Sequence, residues 1–228
     1  SMGAAVGRFA NRIGGAQFPL YEEIVHVTPN SAGNCLHSGL HGFNHALFTA
    51  EVTRGETDSV TMTAHSPAGT DGFPGNAELE VRYSLAGAGL MIQYTLTTDA
   101  PTVANITNHS YFNLNGHGSG DILGHTLQLQ ASAFTPADEH TMPTGEITPV
   151  DGTCMDFRTA KPIGQDIHDA ALAPFRGYDT NLCLDGQGLR KIGQAEGDQT
   201  GIVMEVETTL EGVQLYTGNF ISDRAGKN

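Results

Sequence analysis

Residues 77–96, with the sequence AELEVRYSLAGAGLMIQYTL, decide the fold class. Every second residue from Ala77 to Leu85 is apolar, and the residues between them are polar. After the break at Gly87-Ala88-Gly89, every second residue from Leu90 to Leu96 is again apolar. A period of two is typical of a half-buried β-strand, and a glycine-containing break indicates a turn. The stretch therefore predicts two strands joined by a short turn, with one face in a core and the other in water.

The same alternation recurs in shorter runs, at Val60–Ala64, Leu127–Leu129 and Ile202–Thr208. No stretch of about a dozen residues keeps the 3.6-residue period of a helix, and the best short candidate is Gln165 to Ala173, between Gly164 and Pro174. Strands without intervening helices predict an all-β fold, a large antiparallel β-sandwich or barrel. Without a repeat or linker, residues 1–228 are predicted to form one domain, in which Ser1-Met2 is a cloning remnant and 222–228 a polar loop.

The negative charge of the chain and its lack of long apolar runs disfavour nucleic acid and membranes as partners. The chain has 228 residues, with 25 Asp and Glu against 11 Lys and Arg, a formal charge of −14. Such a field repels nucleic acid and anionic lipid surfaces. No apolar run approaches the ~20 residues that span a bilayer. The odd set of Cys35, Cys154 and Cys183 indicates no disulfide framework and favours a reducing, cytoplasmic location.

The densest polar segment is residues 105–114, NITNHSYFNL. His109, between Asn108 and Ser110 and close to Tyr111, is a candidate proton donor above an aromatic pocket wall. The alternative is a buried histidine whose ring is satisfied by neighbouring hydroxyl groups. The pattern alone leaves both open.

A second polar cluster is residues 34–45, NCLHSGLHGFNH. His37, His41 and His45 are four residues apart, which on a helix would place them on one face as metal ligands. Gly39 and Gly42 disfavour that helix, since each costs about 1 kcal/mol relative to alanine. A glycine-rich loop with one functional histidine is a stronger interpretation than a metal site. A solvated loop without a function is the third interpretation.

Three weaker candidates complete the set. Asp179, after Gly177-Tyr178, is either a turn former or a carboxylate that accepts hydrogen bonds from a ligand's hydroxyl groups. Gln214 lies in an aromatic strand pattern over 212–220. Asn11-Arg12 is either a surface pair or a charged clamp for a ligand.

In this order, these segments resemble the aldose 1-epimerase family. The resemblance rests on the following segments: GRFANRI at 7–13, NCLHSG at 34–39, DGFPG at 71–75, NHSYFNL at 108–114, FTPAD at 134–138, PTG at 143–145, DFR at 156–158, GYD at 177–179 and 212–220. It implies the galactose mutarotase-like supersandwich, which binds an aldose such as galactose or glucose. It also implies interconversion of α and β anomers by acid–base ring opening, without a metal or organic cofactor.

The resemblance also assigns roles. His109 matches the family's acid and His37 its second pocket histidine, so these two are the expected catalytic residues. Five others are expected to bind the sugar: Asn11, Arg12, Tyr111, Asp179 and Gln214. Among the departures, Ser38 stands where the family usually has glycine.

The resemblance implies that the chain is incomplete at both termini, because the family's opening strands precede Gly3 and its basic glutamate lies beyond the chain end. Catalysis is therefore expected to be impaired. Unpaired strand edges predict a homo-oligomer, or a second chain that completes the cleft. A non-catalytic carbohydrate-binding domain and a histidine-rich metalloprotein are the alternative functions.

Overall fold

The structure, a computed structural model, describes residues 2–221. The chain divides into two compact units, one ending at Tyr111 and the other beginning at Phe112. Both consist of short strands in antiparallel sheets, which confirms the all-β prediction. The assignment of residues 1–228 to one domain stays a prediction. Ser1 of the predicted remnant and the predicted polar loop at 222–228 lie outside the described residues.

The first unit is built on one large sheet and three small ribbons. Strands β6, β7, β8 and β9 form the sheet in that order, and the ribbons pair β1 with β10, β2 with β5, and β3 with β4. The strands are β1 (Ala5–Val6), β2 (Arg12–Ile13), β3 (Gln17–Leu20), β4 (Glu23–His26), β5 (Cys35–Leu36), β6 (Thr49–Thr53), β7 (Ser59–Ser66), β8 (Ala77–Ala86), β9 (Gly89–Thr98) and β10 (Thr107–Asn108). Short 3-10 helices span Gly14–Ala16, Phe43–His45 and Thr70–Gly72.

The hairpin predicted from residues 77–96 is the β8–β9 pair. Its register runs from Ala77 opposite Thr98 to Ala86 opposite Gly89. On β8 the inward side chains of Ala77, Leu79 and Val81 are at most 1% exposed, while the residues between them face water. Burying a leucine side chain contributes about 1.5–3 kcal/mol, so this face anchors the sheet.

The second unit is a two-sheet sandwich. One sheet has the order β14-β11-β16-β17 and the other β13-β12-β15-β18. The strands are β11 (Thr126–Leu129), β12 (Ala131–Thr135), β13 (Thr148–Pro149), β14 (Lys161–Pro162), β15 (Asp179–Leu184), β16 (Arg190–Glu196), β17 (Val203–Thr208) and β18 (Gly212–Tyr216). Leu127 and Ile192 from the first sheet pack in one core with Leu182 from the second, as expected for sheets that share an apolar interior.

The helix predicted over 165–173 is wrong as a single element. Two 3-10 helices, Ile163–Asp166 and Ala170–Phe175, occupy the region, and Pro174 lies inside the second. The N–H groups of Ile163 and Gly164 donate to the carbonyls of His125 and Leu123, so distant backbone takes the bonds at the start of the segment. No helix in residues 2–221 has the length and apolar character needed to cross a bilayer.

Candidate functional site

His109 follows β10 and is held by backbone hydrogen bonds on both sides. Its N–H donates to the Ala4 carbonyl at 3.0 Å, and its carbonyl accepts from the Gly3 N–H at 2.8 Å. Both distances are typical of paired strands. The Asn108 Oδ1 atom then accepts from the Ser110 N–H at 2.9 Å, an Asx turn that ends the strand. The half-buried His109 ring is thus presented from a fixed backbone.

His37 follows β5, which pairs with β2. Its N–H donates to the Asn11 carbonyl at 2.9 Å, and the Asn11 N–H donates to the His37 Nδ1 atom at 3.1 Å. Because Nδ1 accepts a hydrogen bond, the proton of the neutral ring lies on Nε2. His37 is therefore oriented as an Nε2–H donor.

Electrostatics keep His37 neutral. Burial, with smaller contributions from His109 and from the positive charge of Arg12, lowers the pKa of His37 to about 4. At neutral pH the ring can donate a hydrogen bond to a ligand, but it holds no ionisable proton to deliver as an acid. Of the two predicted catalytic histidines, His37 is thereby suited to binding.

The structure brings three predicted site rings together. The His37 and His109 ring centroids are 5.3 Å apart in an edge-to-face arrangement. The His109 and Tyr111 centroids are also 5.3 Å apart, with the rings inclined by 32°. We call His37, His109 and Tyr111 the histidine cluster. Tyr111 is 40% exposed, so the cluster is open to a ligand on that side.

Asn11 and Arg12 adjoin the histidine cluster. Asn11 bonds to His37 through its backbone, and its side-chain oxygen accepts from Arg12 Nη1 at 3.2 Å. Arg12 begins β2 and lies opposite Leu36, the residue before His37. Five of the seven predicted site residues therefore lie in one neighbourhood of the first unit.

The other two predicted residues form a pair in the second unit. Asp179 begins β15, Gln214 lies in the neighbouring β18, and Gln214 Nε2 donates to Asp179 Oδ1 at 2.8 Å. The preceding Tyr178 is fully buried, and its hydroxyl donates to the Cys154 carbonyl at 3.0 Å. The pair is therefore anchored in the core of its unit. That Asp179 and Gln214 contact the same ligand as the histidine cluster stays a prediction.

The metal alternative at His37, His41 and His45 is not supported. His41 lies in a turn and His45 in the 3-10 helix Phe43–His45, so the helical face assumed for three ligands does not form. The His41 N–H donates to Asp71 Oδ2 at 2.6 Å, which ties this turn to a buried carboxylate. Throughout residues 2–221, no three His, Cys, Asp or Glu side chains are arranged to hold a metal ion.

Sequence reasoning missed two residues that support His37. Ser38 is 2% exposed, and its hydroxyl accepts from the Phe9 N–H at 2.7 Å and donates to the Phe9 carbonyl at 3.2 Å. Asn30 hydrogen-bonds to Leu36 and Gly39, on either side of His37. Their sequence signals were those of ordinary turn residues, because serine and asparagine populate turns generally.

The neutral state of His37 makes stability depend on pH. The pKa is about 4 when folded and near 6.5 when unfolded, so between these values the unfolded chain binds more protons. We expect the free energy of unfolding to be unaffected by His37 above pH about 6.5 and to fall as the pH drops towards 4, by at most about 1.4 kcal/mol per pH unit. Urea unfolding of the chain and of His37→Gln between pH 4 and 7.5 measures this. A His140→Gln control should keep the wild-type pH slope, because that side chain is 68% exposed; an equal slope in His37→Gln would contradict the assignment.

Comparison with known proteins identifies the family. The family model described as aldose 1-epimerase matches residues 1–227. Galactose mutarotase of Mus musculus is 40% identical over 228 residues, which is 99% of this chain and 65% of the relative. Aldose 1-epimerase of Haemophilus influenzae is 35% identical over 229 residues, which is 100% of this chain and 66% of the relative. The chain thus spans about two thirds of the length of these relatives.

Solved structures agree with the sequence relatives. The crystal structure of an aldose epimerase homologue from C. elegans superposes with a TM-score of 0.85 and 29% identity, covering 96% of this chain and 66% of that one. Galactose 1-epimerase from Lactobacillus acidophilus gives a TM-score of 0.79 and 28% identity, covering 86% of this chain and 58% of that one. On these matches, the chain belongs to the aldose 1-epimerase family.

Proposed function

We propose that this chain binds an aldose such as galactose or glucose and interconverts its α and β anomers by acid–base ring opening. The observation that carries the proposal is the histidine cluster, in which a neutral His37 lies edge-on to His109 beside the exposed Tyr111. The names of the relatives, galactose mutarotase and aldose 1-epimerase, support the same reaction.

Ring opening requires two proton transfers. One group removes the proton from the C1 hydroxyl while another protonates the ring oxygen, after which the C1–O5 bond breaks and recloses on either face. His109 is the proposed acid, because an imidazole can give and regain a proton near neutral pH. The family resemblance assigns the base to a glutamate that follows the Gln214 segment in the family, and residues 214–228 of this sequence contain no glutamate.

The remaining residues are proposed to bind and orient the sugar. His37 donates from Nε2, and Asn11 with Arg12 supplies amide and guanidinium donors beside it. Asp179 accepts from sugar hydroxyls while Gln214 holds its carboxylate. Each of these groups suits a neutral, hydroxyl-rich ligand, and no step in the reaction calls on a cofactor.

Polarimetry of freshly dissolved α-D-galactose and α-D-glucose tests the proposal. We expect optical rotation to reach equilibrium faster with the chain than with buffer or with heat-denatured chain. Equal traces would overturn the catalytic proposal. Galactose-dependent NMR shifts without acceleration would instead identify the alternative, a non-catalytic carbohydrate-binding domain.

Replacing Gln214 by methionine should weaken sugar binding by at least about tenfold. Methionine keeps the length of the side chain but cannot donate to Asp179, and a hydrogen bond to a charged group contributes about 1.5–3 kcal/mol. Galactose titration followed by NMR measures the dissociation constant. Gln199→Met is the matched control, since the Gln199 side chain is exposed and its observed bond is through the backbone. Unchanged affinity in Gln214→Met would exclude this pair from the binding site.

Location and assembly are part of the same proposal. We propose that the protein acts in the cytoplasm and contacts neither membranes nor nucleic acid, in line with its charge of −14. A homo-oligomer formed through sheet edges is also proposed, and β6 and β9 are the outer strands of one such sheet. Sedimentation equilibrium tests this assembly, and a strictly monomeric mass would contradict it.

A further inference from the structure

Residues 37–39 form an unusual run of left-handed backbone. His37, Ser38 and Gly39 have φ angles of 52°, 69° and 86°. Glycine adopts this region freely, but residues with a side chain do so at a cost in free energy. Such a run persists when surrounding contacts determine it, and here it carries a residue of the proposed site.

One carboxamide closes this run at both ends. The Leu36 N–H donates to Asn30 Oδ1 at 2.6 Å, and Asn30 Nδ2 donates to the Leu36 carbonyl at 2.9 Å. The same Nδ2 donates to the Gly39 carbonyl at 2.9 Å. Both donors and the acceptor of the amide are therefore used on the two residues that flank His37-Ser38.

The geometry of His37 depends on this closure. The Asn11 N–H donates to His37 Nδ1 at 3.1 Å while the His37 backbone is left-handed, with a φ of 52°, so the direction of the ring is set from this turn. Ser38 fixes the centre of the run to Phe9, but no bond from Ser38 reaches Leu36 or Gly39 among the contacts of the described residues. Leu36 is also paired with Arg12 of β2, and the Gly39 N–H donates to the Leu36 carbonyl at 3.1 Å. Asn30 adds the side-chain bonds that tie both ends of this turn to one group.

We propose that Asn30 is a positioning residue for His37: by clamping Leu36 and Gly39, it holds the imidazole with Nδ1 on the Asn11 amide and the proton on Nε2. Only the expected effect of Asn30 on the rate of mutarotation rests on the proposed function. Its physical content, the orientation and tautomer of His37, is measurable without turnover.

Asn30→Ala is a suitable probe because Asn30 is exposed and its loss leaves the apolar cores intact. In the 228-residue chain with ¹⁵N-labelled histidine, we expect the wild-type His37 ring to show one neutral tautomer, protonated at Nε2. In Asn30→Ala we expect mixed tautomers and a pKa of His37 that rises from about 4 towards its ordinary value. Asn30→Asp keeps an acceptor for the Leu36 N–H but turns a carboxylate oxygen towards the Leu36 and Gly39 carbonyls, so it should disturb His37 at least as much as Asn30→Ala.

Asn76→Ala is the matched control. Asn76 is also an exposed asparagine that bridges two segments of the same unit, through Ala68 N–H and the Asp99 carboxylate. Its loss should lower the melting temperature about as much as Asn30→Ala and leave the His37 spectrum unchanged. If the wild-type chain accelerates mutarotation, Asn30→Ala should reduce kcat about 10- to 100-fold, as expected for misplaced site geometry, and Asn76→Ala should not.

The outcomes are separable. A His37 tautomer and titration that are the same in Asn30→Ala and in the wild type would overturn the positioning role, whatever the activity. An inactive wild-type chain in which Asn30→Ala still alters His37 would contradict the proposed function and leave the positioning role supported.

Discussion

Replacing His109 by alanine is expected to lower the acceleration of mutarotation by about 10²–10⁴-fold, the range that one general acid contributes. The ring oxygen then has no positioned donor, while the neutral His37 cannot supply an acidic proton at pH 7. The effect should appear mainly in kcat, because proton transfer occurs in the transition state and sugar binding has other contributors. Polarimetry over a range of galactose concentrations separates kcat from KM.

Two controls make the His109 result specific. His140→Ala removes a histidine whose side chain is 68% exposed, and it should leave the rate unchanged. Galactose-dependent NMR shifts that persist in His109→Ala would show that the variant is folded and still binds. A His109→Ala rate within about threefold of the wild type would exclude His109 as the acid, since a general acid contributes at least about 10²-fold.

Replacing Arg8 by methionine is expected to lower the free energy of unfolding by about 3–5 kcal/mol. Arg8 is 2% exposed, and its guanidinium donates to the carbonyls of Ser66, Pro67 and Pro74 at 2.7–3.0 Å. Methionine fills similar space but removes this donor from the buried Ser66 carbonyl and from the part-buried Pro67 and Pro74 contacts, and each buried acceptor left unsatisfied costs about 1–3 kcal/mol. Burial lowers the pKa of Arg8, and the nearby Asp99 carboxylate opposes this lowering.

Urea unfolding at pH 7.5 measures the Arg8 effect. Arg82→Met is the matched control in the same unit, since Arg82 lies on the wet face of β8 and should change stability by no more than about 0.5 kcal/mol. Arg8→Lys should fall between the two, because a single ammonium group cannot reach as many acceptors as the guanidinium. A loss below about 1 kcal/mol in Arg8→Met would show that the carbonyls find other donors.

The strands were predicted well where the alternation was regular. The run from Ala77 lies in β8 (Ala77–Ala86), and the run from Ile202 begins one residue before β17 (Val203–Thr208). Alternation is local information, since each residue's polarity alone indicates which face of a strand it occupies. The helix predicted over 165–173 failed because the backbone is extended at Asp169, with φ −58° and ψ 143°, and the Asp169 side chain accepts from the Ala171 N–H to begin a second 3-10 helix.

For the candidate site, the sequence likewise identified the residues but not the contacts between them. The sequence identified His37 and His109 as residue types suited to proton transfer and hydrogen bonding. The resemblance of the surrounding segments to the aldose 1-epimerase family supplied their expected roles. It did not indicate that the Asn11 amide selects the His37 tautomer, or that Asn30 clamps the turn around it. Both contacts join segments separated along the chain, and their side chains resemble those of any polar turn.

By itself, then, the sequence determined the fold class, the main hairpin and the identity of the candidate residues, because polarity patterns and chemical groups are properties of the chain. The tertiary structure decided which of those groups meet. It brought His37, His109 and Tyr111 into one cluster, paired Asp179 with Gln214, and buried Arg8 among carbonyl groups. Proximity between distant residues sets burial, hydrogen bonding and hence protonation, and these arise only when strands far apart in the chain pack together.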